Sequence, residues 1–112
     1  MERRQRSGLR IKFIKSPTPN TIALLAQRVS PERRERIKGK WDAVGLVQGH
    51  LADIFAAADL AEKTANVVVE EIRGVCPQHM TMIAIFGDTA SVETALRAII
   101  ESEAQQELDT SL

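Results

Sequence analysis

Two residues in the second half of the sequence have the types and spacing of a small reactive or metal-binding motif. Cys76 and His79 form a Cys-x-x-His pair, which could supply a thiolate with a base or two metal ligands. A zinc site needs three or four ligands, and His50 is the only other histidine in the chain. We therefore favour an exposed loop with an incidental thiol, and predict neither a metal nor a cofactor.

Three acidic residues of one predicted helix, Asp53, Asp59 and Glu62, could imitate a pair of catalytic carboxylates. No histidine or second carboxylate pair joins them in the pattern that acid–base catalysis uses, so a solvated helix face is the simpler interpretation. The glycines match neither of the phosphate-binding patterns GxxxxGK[ST] and GxGxxG. These observations predict a protein that is not an enzyme.

The charges are divided unevenly along the chain, although its formal net charge is zero. Residues 1–40 hold 12 of the 15 basic residues and three of the 15 acidic ones, a net charge of +9 that the remainder balances. A basic segment could bind nucleic acid, but this one has a single aromatic residue, Phe13, before Trp41 and no recognisable nucleic-acid-binding motif. We favour a solvated face, or one that meets an acidic face of another subunit, and predict no nucleic-acid partner.

The composition indicates one soluble domain without a membrane partner. A chain of 112 residues allows a single core, and 44% hydrophobic with 27% charged residues is typical of globular proteins. The apolar runs, such as 22–26 and 83–86, are far shorter than the ~20 residues that span a membrane. No apolar segment follows the N-terminal arginines, as it would in a signal peptide, and the single cysteine fits a cytoplasmic location.

The first 40 residues are predicted to contain few regular elements. Residues 1–8 are polar and predicted to be a flexible basic tail. From Leu9 to Lys15 the apolar residues alternate with polar ones, which predicts a half-buried strand. The segment 21–28 stays open between helix and strand, because a short apolar run between prolines suits both. Ser30 and Pro31 predict the start of a short helix that ends near Gly39.

From residue 43 onward the pattern predicts strand, helix, strand, strand, helix. The strands are expected at 43–48, 67–72 and 80–86, and Asp88 is a candidate cap for the last helix, with an acidic, frayed tail after Gln106. The predicted apolar stripes are Leu51, Ile54, Phe55, Ala58, Ala61 and Ala65 in the first of these helices, and Val92, Ala95, Leu96, Ile99 and Ile100 in the last. One sheet with both helices on one face is the natural two-layer arrangement, an α+β fold of ferredoxin-like order.

Three stretches of this part resemble the bacterial microcompartment (BMC) shell domain. They are Ala43-Val-Gly-Leu-Val, the segment from Ala56 that closes in Lys63-Thr-Ala-Asn66-Val, and Phe86-Gly-Asp88 followed by Val92-Glu-Thr-Ala-Leu. An ordinary BMC domain ends with a further strand and short helix, whereas here a strand-like segment and a short helix precede the core. This order is similar to the circularly permuted subfamily of ethanolamine- and propanediol-utilising compartments.

The resemblance implies a particular domain organisation. Residues 20–107 would form the permuted BMC domain, with 21–28 as a strand and residues 108–112 as the frayed tail, and residues 9–19 would form a barrel strand and linker. In the permuted subfamily, one short N-terminal strand from each of six subunits joins a small β-barrel over the central pore. The barrel strand here would be Leu9, Arg10, Ile11, Lys12, Phe13 and Ile14.

The resemblance also implies a structural function. The chain would form a homohexamer that tiles, with other shell proteins, the shell of a cytoplasmic microcompartment. The loop that faces the pore would be Gly74, Val75, Cys76, Pro77, Gln78 and His79, which is about four residues longer than in permuted relatives, so pore chemistry does not carry over. Lys63, Asn66 and Arg28 would lie at the hexamer edge, although Lys63 could equally just favour the negative end of its helix dipole.

Two alternatives to this interpretation stay open. Six copies of Cys76 around an axis could hold a metal ion or an iron–sulfur cluster, although we favour the incidental thiol. A ferredoxin-like small-molecule-binding regulatory domain is also compatible with the order of strands and helices.

Overall fold

The fold is taken from a computed structural model of the chain, which describes residues 8–74 and 79–111, with side chains up to residue 105. Its strands are β1 (Arg10–Lys15), β2 (Ala43–His50), β3 (Val68–Ile72) and β4 (Met80–Gly87). Its helices are α1 (Pro19–Ala26), α2 (Leu51–Thr64) and α3 (Thr89–Ser111), with a 3₁₀ helix at Pro31–Ile37.

The four strands form one antiparallel sheet in the order β1-β2-β4-β3. A single row crosses all of them, since Phe13 pairs with Gly45, Gly45 with Ile85, and Ile85 with Val69. Strands β1 and β3 are therefore the two edges of the described sheet, and Phe13 and Val69 end the same row at opposite edges.

The main core lies between the sheet and the pair α2 and α3, as the sequence predicted. Alternate residues of β2 and β4 supply the sheet side of this core, because successive side chains of a strand point to opposite faces. Gly45 allows close approach here, since a Cβ at this position would lie 3.0 Å from Leu96 Cδ2. The buried residues are Ala43, Val47, Ile54, Ala57, Ala61, Val69, Ile83, Ile85, Val92, Ala95, Leu96 and Ile99.

The opposite face of the sheet carries a second, smaller core, so the two-layer expectation was incomplete. Trp41 donates a hydrogen bond from Nε1 to the Ile37 carbonyl at 2.9 Å, and its ring centroid lies 5.6 Å from that of Phe86. Helix α1 and the 3₁₀ helix cover this face, which makes them a third layer. The buried residues are Ile22, Val29, Ile37, Val44, Ile72, Ala84 and Phe86.

Both predicted helix starts are confirmed, at Asp88 and at Pro31, but only the first has a side-chain cap. Asp88 caps α3, because its Oδ1 accepts a hydrogen bond from the Ser91 N–H at 2.8 Å. Ser30 precedes the 3₁₀ helix but its side chain makes no capping hydrogen bond. Helix α3 continues to Ser111, so the prediction of a frayed tail from residue 108 was wrong.

The segment 21–28 is not a strand, contrary to the resemblance. Thr18 caps α1 by accepting a hydrogen bond at Oγ1 from the Thr21 N–H at 3.1 Å, and Pro19 occupies the first helical turn. Proline suits that turn because its missing N–H would have no partner there. Pro19, the last residue of the predicted linker, is thus the first residue of a helix.

The barrel prediction for residues 9–14 was also wrong. Strand β1 is paired with β2 along its whole length, from Arg10 opposite Gln48 to Lys15 opposite Ala43. Leu9 and Ile11 pack against the main core, so the apolar side of the strand is covered within its own subunit. The segment is an edge strand of the domain and not a separate arm.

Candidate assembly site

One end of the sheet, where β3 ends and β4 begins, brings basic groups together. The Arg73 N–H donates to the Arg28 carbonyl at 2.7 Å, and Arg28 Nη1 donates to the Arg73 carbonyl at 3.1 Å. The rings of His50 and His79 stack there, with centroids 5.2 Å apart and planes inclined by 22°. We call this the loop end, because residues 73–79 connect the two strands.

The Cys-x-x-His motif falls only partly within the structure. His79 is described, and its carbonyl accepts a hydrogen bond from the Leu51 N–H at 3.0 Å, but Cys76 and the rest of residues 75–78 lie outside the described residues. Within the described part of the chain, no group of three or more His, Cys, Asp or Glu residues could hold a metal ion.

The opposite end of the sheet carries Lys63 and Asn66, and we call it the outer end. Lys63 Nζ lies 2.7 Å from Asp59 Oδ2, with both side chains mostly exposed. The hydrogen bond and the negative charge of Asp59 raise the pKa of Lys63 above its usual value. Asn66 is exposed just before β3. Asp59, one of the three candidate catalytic acids, is therefore occupied by a salt bridge along its own helix.

Arg28 does not share this outer end, contrary to the expectation that it accompanies Lys63. It is bonded to Arg73, which follows β3, whereas Asn66 precedes that strand. A five-residue strand spans roughly 17 Å at about 3.3 Å per residue. The structure therefore brings Lys63 and Asn66 together and separates them from Arg28 by the length of β3.

Other arginines of the basic segment also have partners within the subunit. Arg33 Nε donates to Glu70 Oε1 at 2.6 Å, and Arg36 Nη1 lies 3.2 Å from Glu70 Oε2. The hydrogen bond to Glu70 and its negative charge raise the pKa of Arg33. Arg34 donates to the carbonyls of Ala26 and Val29 at 2.8 and 3.0 Å. These contacts tie the 3₁₀ helix to β3 and α1, and they argue against a phosphate-binding surface there.

A cavity of about 290 Å³ opens along the β3 edge, and we call it the β3-edge cavity. Apolar residues line part of it, among them Ala58, Val69 and Ile83. Its border also carries charged residues, which are Arg33, Glu62, Glu70, Glu71 and Arg73. Phe55 stands in its wall with 68% of its surface exposed. This cavity was not predicted from the sequence.

The predicted apolar stripes were too wide. Leu51 and Phe55 of α2 and Ile100 of α3 are exposed, by 38%, 68% and 52%, although we expected them in the core. In α2 the buried residues are Ile54, Ala57 and Ala61. Phe55 follows Ile54 directly, and neighbours on an α-helix point about 100° apart, which turns Phe55 away from the buried stripe of Ile54, Ala57 and Ala61. That angle was the signal available for Phe55.

Comparison with known proteins identifies the family to which this arrangement belongs. Residues 43–111, well over half of the chain, match the BMC domain. The chain belongs to the BMC domain family. No curated protein matches it. The segment before residue 43, with β1 and α1, lies outside the matched range.

Two solved shell proteins are similar over most of their length. The ligand-free GrpU microcompartment shell protein from Pectobacterium wasabiae is 40% identical with a TM-score of 0.67, over 80% of this chain and 98% of that chain. The GrpU shell protein from Clostridiales bacterium 1_7_47FAA gives the same identity and TM-score, over 89% of this chain and 98% of that one. The present chain is thus a bacterial microcompartment shell protein, a structural component and not an enzyme.

A more distant shell protein shares the fold. The fused permuted hexameric shell protein MSM0275 of the RMM microcompartment has a TM-score of 0.67 at 17% identity, and the match covers 88% of this chain and 47% of that one. Among the described residues of the present shell protein, no helix is long and apolar enough to cross a membrane.

Proposed function

We propose that this shell protein forms a cyclic homohexamer, with residues 74–79 around the central pore and the outer end at the perimeter. The observation that carries the proposal is that the loop end and the outer end lie at opposite ends of one sheet. The two remaining flanks of the subunit, the β1 edge and the β3 edge, differ from each other. A contact between two different surfaces closes into a ring when its rotation divides the circle.

We further propose that the domain is circularly permuted. In an ordinary BMC domain a strand and a short helix follow the last helix. Here β1 completes the sheet beside β2, and α1 and the 3₁₀ helix cover the second face, yet all three precede the core in sequence. MSM0275 is itself described as permuted and hexameric, and its fold resembles that of this chain.

The perimeter contact would involve Lys63 and Asn66. Both are exposed at the end of α2, and Lys63 lies in the stretch that most resembles the family's edge motif. Hexamers that meet through these residues, alone or with other shell proteins, would tile into the compartment shell in the cytoplasm.

A small-molecule-binding regulatory domain is the alternative that the fold itself permits. The β3-edge cavity is the feature that such a ligand would need. The two proposals predict different assemblies, because a regulatory domain has no need of a ring of six subunits.

Native mass measurement of the full chain tests the hexamer. We expect a species of six chains at micromolar concentration and moderate salt. A monomer or dimer across micromolar to millimolar concentrations, with saturable binding of a metabolite, would favour the regulatory domain instead.

The native cysteine tests the position of the loop. If residues 74–79 surround the axis, Cys76 of neighbouring subunits approach each other, and a short bismaleimide links them into covalent multimers. The Cys76→Ser variant serves as the control, because it should form hexamers that the reagent does not link. A hexamer in which the wild-type cysteines are not linked would place the loop away from the axis.

A further inference from the structure

Each edge of the sheet exposes one aromatic residue on the side that α2 and α3 cover. At the β1 edge, Phe13 retains 36% exposure although it follows Ile11, which packs on the core of that side. At the β3 edge, Phe55 retains 68% exposure beside the cavity floored by Val69. Exposed apolar groups next to an apolar cavity commonly mark a contact with another chain.

The pairing register of the sheet places the Phe13 edge and the cavity edge at the same level. Phe13 and Val69 end the same row of the sheet, through Gly45 and Ile85. Residues of one row lie at about the same height along the strands. In a ring whose axis lies beyond the loop end, a given row has the same distance from the axis in every subunit. The β1 edge of one subunit would then face the β3 edge of the next, with Phe13 at the same distance from the axis as Val69.

We propose that Phe13 of one subunit enters the β3-edge cavity of the next subunit and packs against its Phe55. This inference rests on the ring proposed above and names the surfaces that would close it. Aromatic residues commonly anchor protein interfaces because they bury a large apolar area, and aromatic pairs add a favourable geometric contribution. The occupant of the cavity is therefore a second copy of this chain.

The charges at the outer end of the two edges fit the same contact. Lys15 is exposed on β1, two residues after Phe13 and on the same side of the strand. Glu62 lies near the C-terminal end of α2 and borders the cavity, together with Arg33. Lys15 of one subunit would approach Glu62 of the next, two rows further toward the outer end than Phe13.

Aspartate substitutions test the contact by mass. Phe55→Asp replaces the aromatic ring that Phe13 would contact with a charged group that a closed interface would bury, and should convert the hexamer into smaller species at the same chain concentration. Leu24→Asp is the matched control, because Leu24 is 55% exposed on α1, which covers the other side of the sheet, and this variant should stay hexameric. Circular dichroism establishes that both variants are folded. A folded Phe55→Asp variant that remains a hexamer would overturn the proposal.

Cross-linking identifies the partner surface, in a Cys76→Ser background. The double variant Phe13→Cys, Phe55→Cys should give a covalent ladder of up to six chains with a short bismaleimide. Each single variant should give none, because a head-to-tail contact brings residue 13 to residue 55 and neither residue to its own copy. Ladder formation by a single variant, or none by a hexameric double variant, would overturn the proposed contact. If the wild-type chain itself is not a hexamer, it is the ring of the proposed function that fails.

Discussion

The carboxylate of Glu70 and the guanidinium of Arg33 form a hydrogen-bonded ion pair, 2.6 Å between Oε1 and Nε, at the border of β3 and the 3₁₀ helix. The pair is asymmetric, because the Glu70 side chain is 1% exposed and the Arg33 side chain 49%. A buried charge is costly unless it is paired, whereas an exposed guanidinium is solvated by water. The two partners should therefore differ in what their loss does to stability.

Removal of Arg33 should destabilise the fold more than removal of Glu70. Arg33→Ala leaves the buried carboxylate with Arg36 alone, while Glu70→Met removes the charge and fills the site with an apolar side chain of similar length. Urea unfolding at one chain concentration compares the midpoints. Lys38→Ala is the control, since its salt bridge with Glu35 is exposed on both sides and should contribute little. Equal midpoints for Arg33→Ala and Glu70→Met would contradict the buried-charge argument.

Strand β1 should be required for folding. Deletion of residues 1–16 uncovers the edge of β2 and removes Leu9 and Ile11 from the main core, so we expect loss of cooperative thermal unfolding by circular dichroism. Deletion of residues 1–7 alone leaves the whole described sheet and should unfold as the full chain does. A cooperative transition after the longer deletion would show that the strand is a dispensable arm.

Much of the fold after residue 43 could be predicted, because its elements carry their own local signals. The β-branched run before Ile72 and the apolar spacing of α3 match the periods of a strand and a helix, and Asp88 stands where an N-cap acts. The alternation in residues 9–15 likewise identified β1 as a strand. Which strand it pairs with depends on residues 28 to 38 positions away, and no local period reports that.

The first 40 residues were harder because their signals point both ways. Thr18 and Pro19 can begin a helix or end a strand, and only the packing of Ile22 in the second core decides between them. Arg28 was assigned to the outer end from a resemblance, while its actual place follows from two hydrogen bonds with Arg73. The β3-edge cavity lies between elements distant in sequence, so no motif marks it.

Gly45 should not tolerate a larger side chain. In Gly45→Ala the new Cβ would lie 3.0 Å from Leu96 Cδ2 and 3.1 Å from Cδ1, and overpacking of this kind costs about 1–3 kcal/mol. Leu96→Ala removes the contacting atoms, so in the Gly45→Ala background it should cost less than in the wild type. Denaturant unfolding of both single variants and the double variant measures this coupling. Additive losses would show that the two residues do not compete for space.

Sheet formation between hexamers should depend on Lys63. Lys63→Asp removes the bridge to Asp59 and brings negative charges together where neighbouring hexamers meet, which is unfavourable across an interface. We expect hexamers by native mass and no extended sheets by electron microscopy. Lys38→Asp, at another exposed lysine with a salt-bridge partner, should still form sheets. Wild-type sheets from Lys63→Asp would remove this residue from the perimeter contact.

The cap of α3 should make part of the stability depend on pH. Asp88 accepts hydrogen bonds from the N–H and the hydroxyl of Ser91, at 2.8 and 3.1 Å, and these bonds lower the pKa of its carboxyl group below the usual value. Because this pKa is lower in the folded than in the unfolded chain, the ionised carboxylate stabilises the fold. The stabilisation is fully present above the unfolded pKa of about 3.9 and is lost as the pH falls through the folded pKa. Asp88→Ala should therefore lower the thermal midpoint near pH 7, and the difference from wild type should shrink near pH 2.

The control variant Asp88→Asn separates the charge from the hydrogen bond, because its amide oxygen can still accept from the Ser91 N–H. Its thermal midpoint should stay close to that of the wild type near pH 7 but should lose the pH-dependent contribution of the carboxylate. An Asp88→Ala deficit that is the same at both pH values would show that the carboxylate charge does not contribute.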